Sequence, residues 1–387
     1  VVNTCTVTHA AERTSRKVAR RGRRSNRRLM TVLTGCYVGQ DPERAAALAG
    51  VDLVVPNEDK DRLVAQVEEH FQVRRGEIGL PIPYVRLPFG QTRGLVKVED
   101  GCNMRCSFCI IPFTRGRQRS RPLEECVDEV RALAEGGYRE VVVTGVQISA
   151  FRDQGHGLFE LVRAMLEETP VERLRLTSIA PWHFDQRLLG LFRDPRLCRH
   201  LHFSLQSGCT ETLRRMRRPY TGEQFRQVVE RVRDAIPEVA VTTDVIVGFP
   251  GETRREFEES LEFVESLAFS KVHVFPYSRR PGTDAADLSK TPGHEAVRRR
   301  VSRMLAVAAE SERRFWASHL GLRRNVLFES GKNGTWPGWT DNYVRVFARS
   351  EAPLFNRILP VRLTGLTEDG VLATRISATG GQGVGGG

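Results

Sequence analysis

Three cysteines crowd the stretch DGCNMRCSFCIIP: Cys102, Cys106 and Cys109. Their C-x3-C-x2-C spacing lets three thiolates converge on one inorganic core, and iron–sulfur clusters are held by such thiolates. A closed zinc site takes four tetrahedral ligands, commonly two paired knuckles. The triplet has no fourth Cys or His at a suitable distance. Three ligands on a four-iron cluster leave one iron open to a small chelating group. A zinc site or buried free thiols is the plainer alternative.

Eight cysteines in 387 residues do not make a disulfide scaffold. No secretory signal is visible, so a reducing cytoplasmic setting is expected, with clustered cysteines read as metal or redox ligands. No run of about 18 apolar residues is present, which argues against a transmembrane helix. Lys and Arg number 59 against 47 Asp and Glu, a net charge of +12. Arg dominates, and its fork suits bidentate phosphate recognition. A polyanionic partner, RNA or DNA, explains this excess, as does Arg-rich codon usage.

The elements that must position the triplet follow from periodicity. Residues 1–90 read as an incomplete α/β domain with a linker: strands at Val1-Val2, LMTVLTG and VDLVV, helices from Ala10 to Arg24 and in DKDRLVAQVEEHF. The stretch RGEIGLPIPYVRLPFGQTRG breaks both periods and reads as the linker. Residues 91–320 alternate strands (GLVKVED, EVVVTG, RLRLTSI, HLHFSL, AVTTDVIVGF, KVHVFPYS) with helices. Six β/α units predict a parallel sheet with outer helices, a partial (β/α)6 barrel. Right-handed crossovers put all strand C-termini on one face, where barrel sites form. Residues 321–376 predict a small β-barrel from NVLFES, NYVRVFAR, RILPVRLTGL and GVLATRI, with NGTWPGWTDNYVRV as its loop. The Gly-rich tail 377–387 is expected to be disordered. The fold class is α/β.

The triplet resembles the radical S-adenosylmethionine (SAM) enzymes, whose signature carries an aromatic residue, here Phe108, before the last cysteine. The resemblance implies a 4Fe–4S cluster held by Cys102, Cys106 and Cys109, with SAM chelated through its amino and carboxylate groups. It implies cleavage of SAM to methionine and a 5′-deoxyadenosyl radical. The protein then supplies orientation and exclusion of water. Strand ends carry further expected SAM-binding residues: Thr144 and Gly145, Ser178, Gln206 beside Ser207, and Gly248, Gly251 and Glu252. Glycine there lets backbone approach the adenosine.

The similarity extends to CNMRCSFCIIPFTRGRQRSRP, SIAPWHFD, HLHFSLQSG, LRRMRRPYT, DVIVGFPGET, VFPYSRRPGT, NTCTVT and TGCY. These resemble the methylthiotransferase branch, and the similarity covers nearly the whole chain. The N-terminal domain is flavodoxin-like in this reading. The branch implies a second 4Fe–4S cluster, with Cys5 and Cys36 matching two of its three ligands. Its third lies in a glycine–cysteine motif upstream of NTC. The chain begins at Val1, so that ligand is expected about 45 residues or fewer before it, within one βαβ unit. With two thiolates, the given chain is expected to cleave SAM yet be impaired in sulfur insertion. Cys126, Cys198 and Cys209 read as buried structural thiols.

Within the branch, DGCN, RGRQRSR, SIAPWHFD and LRRMRRPYT most resemble the enzymes acting on carbon 2 of threonylcarbamoyladenosine beside the tRNA anticodon. The isopentenyladenosine tRNA enzymes and a ribosomal-protein aspartate enzyme are the alternatives. A non-catalytic metal-containing RNA-binding protein is the alternative of another class. Nine basic residues lie between Arg13 and Arg28. Arg115, Arg117, Arg119 and Arg121 follow the cluster loop, and such runs track phosphates or form solvated faces. The terminal barrel resembles a TRAM module, in which Lys332 and Arg345 flank Trp336, Trp339 and Tyr343. Those aromatics either stack on an unpaired base or fill the barrel core. The partners implied are the tRNA anticodon stem-loop and a reductant such as flavodoxin or ferredoxin.

Overall fold

The computed structural model describes residues 1–26, 28–72 and 91–376. The tail, and most of the linker, fall outside them. Six parallel strands form the central body: β4 (Arg93–Lys97), β7 (Glu140–Thr144), β8 (Arg173–Leu176), β9 (His200–Gln206), β10 (Ala240–Val247) and β11 (Lys271–Pro276). Between β4 and β7 lies a short antiparallel ladder of β5 (Glu99–Asp100) and β6 (Arg119–Ser120). The order β4-β7-β8 continues into β9-β10-β11 through parallel bridges at Leu174–Leu197 and Ile179–Phe203. Among the described residues β4 and β11 do not pair, so the barrel is open.

β-Branched runs such as EVVVT suit strands buried on both faces. Alternate residues then divide the work, since successive side chains point to opposite faces. Leu201, Phe203 and Leu205 of β9 join the main core. His200, His202, Ser204 and Gln206 take the inner face. The outer helices start where capping boxes place them, Thr221 with Gln224 and Thr253 with Glu256. A last helix, His294–Ala317, runs from Val297 at one end of the barrel to Trp316 in the C-terminal core.

The N-terminal unit is a parallel sheet β1 (Val2–Thr4), β2 (Val32–Gly35) and β3 (Leu53–Val54), packed by the helix His9–Ser25. The C-terminal unit is a closed barrel, ordered β12-β13-β14-β16-β15. Its strands are β12 (Arg323–Phe328), β13 (Thr335–Thr340), β14 (Arg345–Arg349), β15 (Ile358–Leu366) and β16 (Val371–Arg375). The stretch expected to be a loop, NGTWPGWTDNYVRV, instead supplies β13, while β14 lies within the expected strand NYVRVFAR. Pro337 and Gly338 hid the strand, because both normally demote a strand in sequence. Pro337 still accepts from Glu329 N–H at 2.8 Å, and pairs with Phe347.

This C-terminal barrel seals the floor of the six-strand body. The Tyr343 ring stacks on His200 at 4.6 Å and on Trp339 at 4.8 Å. The Arg175 guanidinium lies 4.5 Å from the Tyr343 ring centroid. Arg175 Nε donates to Glu140 Oε1 at 2.7 Å, and Nη1 to Asp341 O at 2.9 Å. Arg173 donates to Asn325 O at 2.6 Å and Trp339 O at 3.0 Å. Glu140 and Arg175 are almost fully buried, and the arginines beside Glu140 hold its carboxyl low against the cost of burial. Replacing Glu140 with Ala strands two buried guanidiniums. The expected loss is about 3–5 kcal/mol, read from urea unfolding midpoints against wild type.

Candidate metal centre

The β5–β6 ladder closes the base of the loop 101–118, which carries all three thiols. Asp100 pairs with Arg119, and Cys102 N–H donates to Gly116 O at 3.1 Å. Within it, Cys109 N–H donates to Cys106 O at 3.1 Å, and Met104 N–H to Cys102 Sγ at 3.4 Å. Ser107 anchors the loop: its N–H donates to Met216 O at 3.1 Å and its hydroxyl to Arg215 O at 2.8 Å. Phe108 packs edge-on to Phe249 at 6.3 Å. All three thiols are partly exposed.

The donor set fits an iron–sulfur core. Burial pushes the Cys109 thiol up to about 12, and Cys106 and Cys102 add to that push. Burial raises Cys102 likewise. Three thiolates here need a cationic core to hold them. Around one zinc ion, with Zn–S about 2.3 Å, sulfurs would lie about 3.8 Å apart. The cysteine thiols are not clenched so: among the described residues, the one metal-ligating triad with all its ligand atoms within 4.8 Å lies elsewhere. A four-iron cube separates its ligands more widely than a single ion.

Arg218 completes the setting. Its Nη1 lies 3.4 Å from Cys106 Sγ, its Nη2 donates to Ser204 O at 2.8 Å, and its guanidinium covers Trp182 at 4.5 Å. Sequence reasoning quoted LRRMRRPYT but assigned Arg218 no role. A cavity of about 260 Å³ opens beside Cys102, lined by Asn103, Gln118, Gln147, Arg152 and His183. A larger cavity of about 660 Å³ sits at the floor, where Arg173, Arg196, Arg199 and Arg324 already have partners.

The expected strand-end residues lie on the same rim as the thiol loop. Thr144 O accepts from Val98 N–H at 3.0 Å. A side chain at Gly145 would place its Cβ 2.3 Å from Glu99 Oε1, so any larger residue would have to push the buried Glu99 side chain aside. Ser178, two residues past β8, and Gln206, the last residue of β9, adopt left-handed conformations, at φ of 53° and 71°. Gly248 and Gly251 follow β10. Gly248, at φ 79°, also faces Val297 at a distance no Cβ could share. Glu252 was expected among the SAM-binding residues, and the structure shows its partners within the protein. Its carboxylate accepts from Gly248 N–H at 3.1 Å and pairs with Arg300, bracing the turn.

Cys5 and Cys36 each follow a strand end, and their predecessors Thr4 and Gly35 are register partners. Ser15 Oγ holds Cys5 N–H at 3.0 Å. The N-terminal unit meets the main barrel near the end of β11, through Glu12 with buried Arg280 at 2.8 Å and His9 N–H with Ser278. Cys126, Cys198 and Cys209 are buried.

The expected phosphate contacts divide. Arg115 Nε donates to Cys36 Sγ at 3.0 Å and Nη1 to Asp100 at 3.1 Å, so it is an internal tie. Arg121 is engaged by Glu129 and by Lys97 O. Arg117 and Arg119 are exposed. Lys332 closes the β12–β13 turn with Thr335, and Arg345 lies over Phe347 and Trp339. Trp336 packs on the barrel core and donates to Ser350 O at 3.0 Å. Trp339 and Tyr343 are occupied at the floor. Of the two readings open for these aromatics, the contacts seen here are packing contacts.

An open six-strand parallel barrel with a three-thiol loop at its C-terminal rim defines a radical SAM enzyme. Residues 96–264 match the family model "Radical SAM superfamily", and residues 1–56 match "Uncharacterized protein family UPF0004". The threonylcarbamoyladenosine tRNA methylthiotransferase MtaB of Bacillus subtilis is 33% identical, over 94% of this chain and 84% of the relative. Its Thermotoga maritima namesake is 36% identical, over 97% and 88%. The tRNA-2-methylthio-N(6)-dimethylallyladenosine synthase of Agrobacterium fabrum is 35% identical, over 80% and 72%. In fold, the chain resembles the radical S-adenosylmethionine methyltransferase TsrM from Kitasatospora setae. The TM-score is 0.58 at 19% identity, over 74% of this chain and 63% of that one. The chain belongs to the radical SAM methylthiotransferase family. Among the described residues no helix is long and apolar enough to cross a membrane.

Burial raises the Glu99 carboxyl from 4.5 to about 7, against hydrogen bonds from the Gln147 and Val146 amides. A raised acid binds its proton more tightly when folded, so stability falls as pH climbs from about 4.5 to 7. Replacing Glu99 with Gln is expected to flatten that slope, measured as unfolding midpoints at pH 5 and pH 8.

Proposed function

We propose that the chain adds a methylthio group to carbon 2 of threonylcarbamoyladenosine beside the tRNA anticodon. The observation that carries this reading is likeness to relatives so named over most of this chain and of theirs, joined to the thiol loop at the barrel rim. Cys102, Cys106 and Cys109 would hold a 4Fe–4S cluster, and Cys5 with Cys36 would contribute to a second. A bound cluster of this kind supplies an electron for cleaving SAM to a 5′-deoxyadenosyl radical. The chain's own residues do the rest. Arg218 keeps a fixed positive charge beside Cys106. Gly145 and the turns at Ser178, Gln206, Gly248 and Gly251 present backbone at the rim, and Phe108 with Phe249 shields it from water. Glu252 acts by holding the Gly248 turn. Arg117 and Arg119 would meet tRNA phosphates, with Lys332 and Arg345 as more distant basic contacts. A small reductant protein would deliver electrons.

Relatives named for dimethylallyladenosine support a second reading within the branch. Nucleoside mass spectrometry of tRNA from a deletion strain separates the two. Loss of the methylthio form of threonylcarbamoyladenosine alone is expected; its persistence overturns the reading. In the reconstituted protein, Cys106→Ala is expected to abolish SAM cleavage while tRNA affinity changes less than about twofold, because binding rests on phosphate charge. The paired substitution Arg117→Ala and Arg119→Ala is expected to lower tRNA affinity and flatten its salt dependence by about two phosphate contacts, read from binding isotherms at several salt concentrations.

A further inference from the structure

Three adjacent strands bring together His202, Asp244 and His273, none of which contacts the thiols among the described residues. Asp244 and His273 are register partners on β10 and β11. His202 on β9 pairs with Thr242, two residues before Asp244 and on its face of the sheet. One ligand atom from each side chain lies within 4.8 Å of the other two. His202 Nε2 is 3.2 Å from Asp244 Oδ2. The cluster lies about 13 Å down the strands from Gln206, at four residues of about 3.3 Å each.

The chemistry of the set is specific. Two imidazoles and one carboxylate are a donor set for a borderline divalent ion, and three protein ligands leave a fourth position open. A tetrahedral ion with ligand bonds of about 2.0–2.2 Å needs donor atoms about 3.3–3.6 Å apart, so small rotamer changes close the set. Thr242 Oγ1 lies 3.0 Å from His202 Nδ1, placed to accept that ring N–H while Nε2 faces Asp244. Such a partner on the far nitrogen is the usual way a ligand imidazole is oriented. His273 is exposed and, among the described residues, has no hydrogen-bond partner, so its ring is free to turn inward. The nearby cation, Lys271, is already engaged by Glu312 at 3.0 Å.

We propose that His202, Asp244 and His273 form a mononuclear zinc site in the barrel wall, its fourth position open to water or a substrate group. The ion ties the edge strand β11 to β9 across β10, where among the described residues no further strand pairs with β11.

The test uses the full chain reconstituted with iron and sulfide, dialysed against micromolar zinc chloride, with bound zinc counted by mass spectrometry. Wild type is expected to hold one zinc equivalent more than His273→Ala or Asp244→Asn. The double variant Cys5→Ala, Cys36→Ala, which removes competing thiols, is expected to keep that equivalent. Zinc is expected to raise the melting midpoint of wild type and leave that of His273→Ala unmoved. His273 is exposed, so the variant should melt with wild type in chelator. Equal zinc in wild type and both wall variants, or loss of the equivalent only in the cysteine variant, overturns the proposal.

Discussion

Glu140 is a carboxylate placed where no water can reach it, between Arg173 and Arg175. That one buried charge sets the terms for the molecule. Two guanidiniums neutralise it, and their remaining N–H groups reach carbonyls of the C-terminal barrel. Removing a partner from such a set costs more than the set contributes, because the survivors stay buried and unpaired. The floor of an open barrel is thereby fixed without closing its seam. With the N-terminal ends of β7, β8 and β9 held, their C-terminal ends keep the spacing that the rim turns require.

The rim shows how much function a parallel sheet concentrates. Every strand delivers its last residue to one edge, and irregular backbone follows there at Ser178, Gln206, Gly248 and Gly251. Ser178 and Gln206 adopt left-handed conformations that side-chain-bearing residues visit at a cost. That strain clusters beside the thiol loop, where a ligand's approach would make use of it. The N-terminal unit docks at this edge and the C-terminal barrel at the opposite one, so chemistry and scaffold are segregated by strand polarity.

Much of this was legible in the sequence, for identifiable reasons. The thiols lie within eight residues of each other, so their spacing states their chemistry. Runs such as EVVVTG, bounded by turn residues, announced the barrel strands. β13 was not legible, because Pro337 and Gly338 read as a turn unless the pairing with β14 is known. Arg218 was hidden for a different reason: its contact with Cys106 spans 112 residues. Arg115 and Arg117 look identical in RGRQRSR, yet one is tied to Cys36 and Asp100 while the other is exposed. Only packing of the N-terminal unit on the loop tells them apart. Trp339 and Tyr343 pack against His200 and each other at the floor, a contact between distant segments that the sequence does not display.

The helix His294–Ala317 has 24 residues, about 36 Å at 1.5 Å per residue. Val297 touches the Gly248 turn at the rim, Arg300 clamps Glu252 beside it, and Trp316 is set in the core of the C-terminal barrel. A rod gripped at both ends cannot roll at one without rolling at the other. The helix is therefore a strut that sets one fixed distance between the core of the C-terminal barrel and the rim turn.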